Sequence, residues 1–245
     1  MPEFILKNFQ GLGWPSFKSR TYRSPGEAGY AATVSALAEE AIGQARLKPL
    51  DDTCWIKLEI IGQVPLDALG VSKTIMDALT GVILKNSDWI IRHIQAEWKE
   101  SVERSGIWIL IGRKIPGAPG GKKVLRFFVP GVPVEKHIPY RWDKSTQIGW
   151  SADMLKALEM AASLMPAEIV KGDARVAITV TSYRKLPDLD SVAGFIIQAA
   201  RRRGIIGRDC KVTSLTITVV DGVEGAEEEA LVSIQPAGTE TDMSQ

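Results

Sequence analysis

Alternation of apolar and polar positions is the first regularity along the chain. Ile56, Leu58 and Ile60 are separated by Lys57 and Glu59, the period of a strand with one buried face. Val176, Ile178 and Val180 repeat that alternation further on. Elsewhere the period lengthens: Met154, Leu155, Leu158, Met160 and Ala161 approximate helical spacing. Taken together, the patterns predict strands near 4–7, 56–60, 90–98 and 106–111, with helices near 30–45 and 71–82. The same order returns as strands near 124–129, 176–180, 212–219 and 230–234, with helices near 151–164 and 191–203. Two units of about four strands and two helices predict an α+β protein.

The two units also correspond residue by residue. Asp67 falls on Asp188 (188 − 67 = 121) and Asp88 on Asp209 (209 − 88 = 121). Ile91, Ile94 and Ala96 fall on Val212, Leu215 and Ile217 at the same offset. Tyr22-Arg23 matches Tyr140-Arg141, and Gly29-Tyr30 matches Gly149-Trp150, with small gaps of the kind loops absorb. A period of this size is that of a domain rather than of a solenoid repeat. The seam is the Pro- and Gly-rich segment 114–123, read as a linker. The expected organisation is one unit over 1–113, the linker, a second unit over 124–235, and a polar tail over 236–245.

Composition narrows the chemistry. With 45% hydrophobic and 24% charged residues in 245, the chain has the make-up of a globular protein. No apolar run reaches the length of a membrane span, and no signal-peptide layout opens the sequence, so a cytoplasmic location with no membrane partner is expected. Two cysteines give no disulfide framework, and two histidines give no His-rich metal site. Any metal would be held by oxygen, which points to Mg²⁺ or Mn²⁺. Although the net charge is +1, it is unevenly spread: residues 114–220 carry 17 Lys and Arg against 9 Asp and Glu. Residues 221–245 carry seven acids and no base. A basic middle of this kind can meet phosphates, or can simply be a solvated face.

Leu186-Pro-Asp-Leu-Asp-Ser191 carries the candidate chemistry. Asp188 and Asp190, one residue apart in an extended segment, point to one side. Asp209 follows after a helix and the turn Gly204-Ile-Ile-Gly-Arg208, and would join them if that helix folds back along the sheet. Three carboxylates suit a hard divalent cation and the water it activates for phosphodiester cleavage. The same residues also read as a helix N-cap and a turn aspartate.

Asp188-Leu-Asp-Ser191 and Gly-Ile-Ile-Gly-Arg-Asp209 resemble the RusA-type Holliday junction resolvases, crossover junction endodeoxyribonucleases. Their motif has the form Asp-Leu-Asp-Asn, a Lys, a helix and a third Asp. Phe127-Phe-Val-Pro-Gly-Val-Pro-Val-Glu-Lys136 is similar to that family's opening strand and loop, and Lys73-Thr-Ile-Met-Asp-Ala-Leu-Thr-Gly81 to its helix. The resemblance implies a homodimer-like arrangement fused into one chain, two RusA-like domains forming an intrachain pseudo-dimer, each with a small mixed sheet and two helices. It further implies a Mg²⁺- or Mn²⁺-dependent endonuclease acting on four-way or branched DNA, with Asp188, Asp190 and Asp209 as metal ligands and catalytic acids. Ser191 replaces the family's Asn, and Gly194 its Lys. The first unit keeps Asp67, Lys73 and Asp88 but has Leu69 for the middle acid and Gly70 for the Asn, a degenerate site. Lys136, Arg141, Arg184, Lys185, Arg201, Arg202, Arg203 and Lys211 are the expected DNA contacts, with the cations of 201–203 also suited to a helix C-terminus. The alternative is a junction-binding protein whose catalysis has decayed.

Overall fold

Eight strands and four helices follow one another in the order β1 (Glu3–Lys7), α1 (Pro25–Ala45), β2 (Cys54–Gly62), α2 (Ala68–Leu79), β3 (Ile91–Glu100), β4 (Gly106–Arg113), β5 (Lys122–Pro130), α3 (Ala152–Leu164), β6 (Ala174–Ser182), α4 (Leu189–Arg203), β7 (Val212–Asp221) and β8 (Glu229–Pro236). These come from a computed structural model that describes residues 3–7, 25–85, 90–113, 122–132, 152–182, 189–224 and 228–238. The α+β class and the strand-helix-strand-helix-strand-strand order of each half are as the sequence patterns predict. The strands do not form two separate sheets, however. They make one mixed sheet in the order β1-β8-β6-β7-β3-β2-β4-β5.

That order reads the same from either end. β3 and β7 meet antiparallel at the centre, where Gln95 pairs with Thr216. Gln95 and Thr216 are themselves equivalent positions (216 − 95 = 121), and the flanking pairs Ile94 with Ile217 and Ala96 with Leu215 exchange under the same offset. Outward from the seam, β2 lies parallel to β3 and β6 parallel to β7, each with a register irregularity after its first pair. β4 and β8 then add antiparallel.

The edges cross over between halves. β1, from the first half, pairs with β8 of the second, Phe4 opposite Val232. β5, from the second, pairs with β4 of the first, Phe127 opposite Ile109. Gly112 faces Lys123 in that pairing, so the segment read as a linker joins neighbouring strands of one sheet. Neither half holds its own opening strand.

Among the described residues the helices cover one face of the sheet. Ile56, Leu58 and Ile60, Ile94 and Ala96, Val176, Ile178 and Val180, and Leu215 and Ile217 join helix residues in one buried cluster. Each Val, Leu or Ile among them contributes roughly 1.5–3 kcal/mol by leaving water. α1 packs on α2, α3 on α4, and α2 and α4 touch across the seam, α2 reaching β7 and α4 reaching β3. Both inner helices end in a left-handed glycine, Gly81 at φ 87° and Gly204 at φ 86°, a conformation costly for any residue with a Cβ. After each glycine the chain returns in the same way, Leu50 N–H donating to Ile83 and Val170 N–H to Ile205.

Candidate acidic site at the helix ends

Asp67 caps α2. Its Oδ1 accepts from the N–H groups of Leu69 at 3.1 Å and Gly70 at 3.2 Å, satisfying donors that the first helical turn leaves open. Its Oδ2 faces the other half: Arg201 Nη2 lies at 3.0 Å and the Val212 N–H at 3.4 Å. Lys211 Nζ donates to the Pro65 carbonyl beside it. The first acidic position is thus spoken for by backbone donors and a guanidinium, in keeping with the capping reading. Lys73 lies in the second turn of α2, half-buried. Asp88 lies outside the described residues.

The second position is built differently. Asp190 sits in the first turn of α4 and is only 7% exposed, with Ser191 buried beside it. A carboxylate there is favoured by the positive end of the helix dipole. Asp188 directly precedes the helix and lies outside the described residues. Gly194, where the family resemblance expects Lys, is buried within α4.

Asp209 does not join Asp190. β6, α4 and β7 form a parallel crossover, so α4 runs back along the sheet and delivers the chain to the start of β7. Its 15 residues span roughly 22 Å, placing Asp190 at one end and Asp209, exposed in the turn before β7, beyond the other. Lys211 fixes that turn at the start of β6, its N–H donating to Asp173 Oδ1 at 2.8 Å. The expectation that the helix folds Asp209 back onto Asp190 is therefore corrected: folding back is what separates them. Among the described residues no three His, Cys, Asp or Glu side chains gather as a metal-holding group.

The antiparallel seam brings different residues together. At the end of β7 the Asp221 carboxylate meets Arg92, which belongs to the start of β3. The start of β3, just after Asp88 in sequence, therefore shares a sheet end with the termini of β6 and β7, from which the chain leads into α4. At the opposite end, Asp67 of the first half stands against Val212 of the second. The first acidic position thus faces the strand start of the other half.

The arginines expected to meet phosphates are held by protein. Arg201 pairs with Asp67 and donates to the Cys210 carbonyl at 3.2 Å. Arg202 pairs with Glu159 of α3, and Arg203 Nε donates to the Met165 carbonyl at 3.1 Å. They fasten the C-terminal end of α4, and the helix-terminus reading of these cations fits them. Lys136, Arg141, Arg184 and Lys185 lie outside the described residues.

Sequence reasoning passed over Ser182 and Glu228. Both are buried, and the Ser182 hydroxyl donates to Glu228 Oε1 where β6 ends and β8 begins. Glu228 stands in the acidic stretch 221–245, and its burial follows from its place just before β8, beside the end of β6. His93 was passed over too: its Nδ1 lies 2.8 Å from Thr218 Oγ1 across the seam, and burial lowers its pKa below the ordinary 6.5.

No protein-family model matches the chain, and no curated protein or solved structure does either. No helix among the described residues is long and apolar enough to cross a membrane.

Proposed function

We propose that this chain is a metal-dependent endonuclease of RusA type acting on four-way or otherwise branched DNA. In this reading a tandem duplication folds as a pseudo-dimer, with one working acidic site at the N-terminal end of α4. The observation that supports it best is the β3·β7 seam, centred on Gln95 and Thr216, where two equivalent halves meet as two subunits of a symmetric dimer would.

We infer from the sequence order that Asp88, three residues ahead of β3, takes the part of Asp209 beside Asp188 and Asp190, because the start of β3 shares a sheet end with the end of β6 and the turn of Asp209 lies beyond the other end of α4. Hard oxygen donors of this kind suit Mg²⁺ or Mn²⁺, which offsets charge on the phosphate and supplies an activated water. The equivalent first position is a poor ligand set: Leu69 has no donor, and Asp67 is engaged by Arg201 and two helix N–H groups.

Incubation with a synthetic four-way junction and Mg²⁺ or Mn²⁺ tests this. Nicking is expected as single cuts, abolished by Asp190→Asn and by Asp88→Asn, and kept by Asp209→Asn. An Asp190→Asn variant that cuts like the parent overturns the proposal, as does a chain that leaves junctions intact. The second reading, a junction-binding protein without catalysis, draws on the missing motif Lys at Gly194. It expects salt-sensitive junction binding that survives chelation, with no cutting.

A further inference from the structure

The face of the sheet opposite the helices carries an aromatic surface at its β4·β5 end alone. Along β4 the residues on that face are Gly106, Trp108, Leu110 and Gly112. Trp108 pairs with Phe128 of β5, their ring centroids 5.1 Å apart. The two glycines let neighbouring rings lie flat on the strand. A Cβ on Gly106 would stand 2.2 Å from the Phe128 ring, and one on Gly112 would stand 2.3 Å from the Trp55 ring. Cations border the rings: the Arg126 guanidinium stacks 4.3 Å above Trp108, and that of Arg104 lies 5.8 Å from Phe128. Lys57 and Lys99 both approach Glu59, at 3.5 and 3.6 Å, so the carboxylate beside Trp108 is more than neutralised. Lys57, Lys99, Arg104 and Arg126 stand here against Glu59, Glu97 and Glu103, and Glu97 is itself met by Arg175 at 3.8 Å.

The equivalent positions in the second half read Glu229, Leu231, Ser233 and Gln235 on β8, with Ile5 on β1. Nothing aromatic occurs there. A fold that needed Trp108 and Phe128 merely to cover the sheet would need their like on β8 as well.

We propose that this surface binds single-stranded nucleic acid, with unpaired bases taking the place of the Arg126 and Arg104 guanidiniums on the half-buried Trp108 and Phe128 rings, and the displaced cations meeting the backbone phosphates together with Lys57. Flat rings accept any base through its π-face, and adjacent cations follow the phosphates, the combination that binds single strands without regard to sequence. Cations rather than carboxylates predominate at the ring margins, which selects a polyanion over an apolar peptide or a second copy of this chain. The surface is separate from the acidic site, so the inference goes beyond the activity proposed above. The β4·β5 end of the sheet would then serve binding while the N-terminal end of α4 serves chemistry.

Fluorescence anisotropy of a labelled oligothymidylate, with the full chain in EDTA, tests this apart from any cleavage. Trp108→Ala and Arg126→Ala are each expected to weaken binding about tenfold, in the range of one lost base stack. Phe128→Leu, which keeps the volume apolar, should weaken it less than Trp108→Ala. Thermal unfolding and circular dichroism of each variant separate lost binding from lost fold, and Arg126→Ala removes no core atom. Parental affinity in folded Trp108→Ala and Arg126→Ala variants overturns the proposal, as does failure of the parent to bind the oligomer at low salt. A parent that self-associates through this face, becoming monomeric on Trp108→Ala without ever binding oligomer, overturns it equally.

Discussion

Asp67 and Arg201 meet at 3.0 Å from opposite halves of the chain, the one capping α2 and the other closing α4. Arg201 is 9% exposed and Asp67 24%, so the pair is largely shielded from solvent. Removing either partner leaves a charge facing the sheet seam. Arg201→Ala is expected to lower unfolding stability by about 2 kcal/mol, between exposed and fully buried pairs. Asp67→Asn should cost less than Asp67→Ala, because Asn is nearly as good an N-cap. Denaturant unfolding of the three variants checks the order, and equal losses for Asn and Ala would remove the capping contribution.

His93 makes stability depend on pH. Burial lowers its folded pKa below the ordinary 6.5, so below about pH 6.5 the unfolded chain binds a proton that the folded chain does not. Stability from this group is therefore intact above pH 6.5 and declines as pH falls beneath it. His93→Gln should flatten the acid side of the stability profile between pH 6.5 and the folded pKa. An unchanged slope would assign the decline to other groups.

The cysteines should differ in reactivity. Burial, with the Asp52 carboxylate adding to it, pushes the Cys54 thiol up to about 12, while Cys210 is only half-buried. A thiolate-trapping reagent near neutral pH is expected to modify Cys210 in the native protein and Cys54 only on unfolding. Mass spectrometry of labelled peptides reads the order, and early labelling of Cys54 would contradict its burial.

Neither half should fold alone. β1 pairs only with β8 and β5 only with β4, so cutting between Arg113 and Lys122 removes no pairing yet leaves each half with an unmatched strand and an open β3 or β7 edge. Expressed separately, the halves are expected to aggregate or remain unfolded. Expressed together, they should elute as one species with a single unfolding transition. A stable monomeric half would show that the seam is dispensable.

Local patterns alone carried the element list. Alternation at Ile56, Leu58 and Ile60 and helical spacing over 151–164 depend on which face of one element is buried, and that is written in consecutive residues. The 121-residue correspondence of the halves was equally legible, since it compares residues with residues. What the sequence could not decide is which end of which element meets which. The sequence leads one to expect that Asp190 and Asp209 meet, yet a parallel crossover holds them at opposite ends of α4. The sequence reads Asp67 as part of a degenerate site or as a helix cap, and its contact with Arg201, 134 positions away, comes only from the fold. The exchange of β1 and β5 and the flat rings over Gly106 and Gly112 arise from strand pairing across long sequence separations. Those pairings are fixed by burial of a shared face and by backbone hydrogen bonds, and neither has a signature in neighbouring residues.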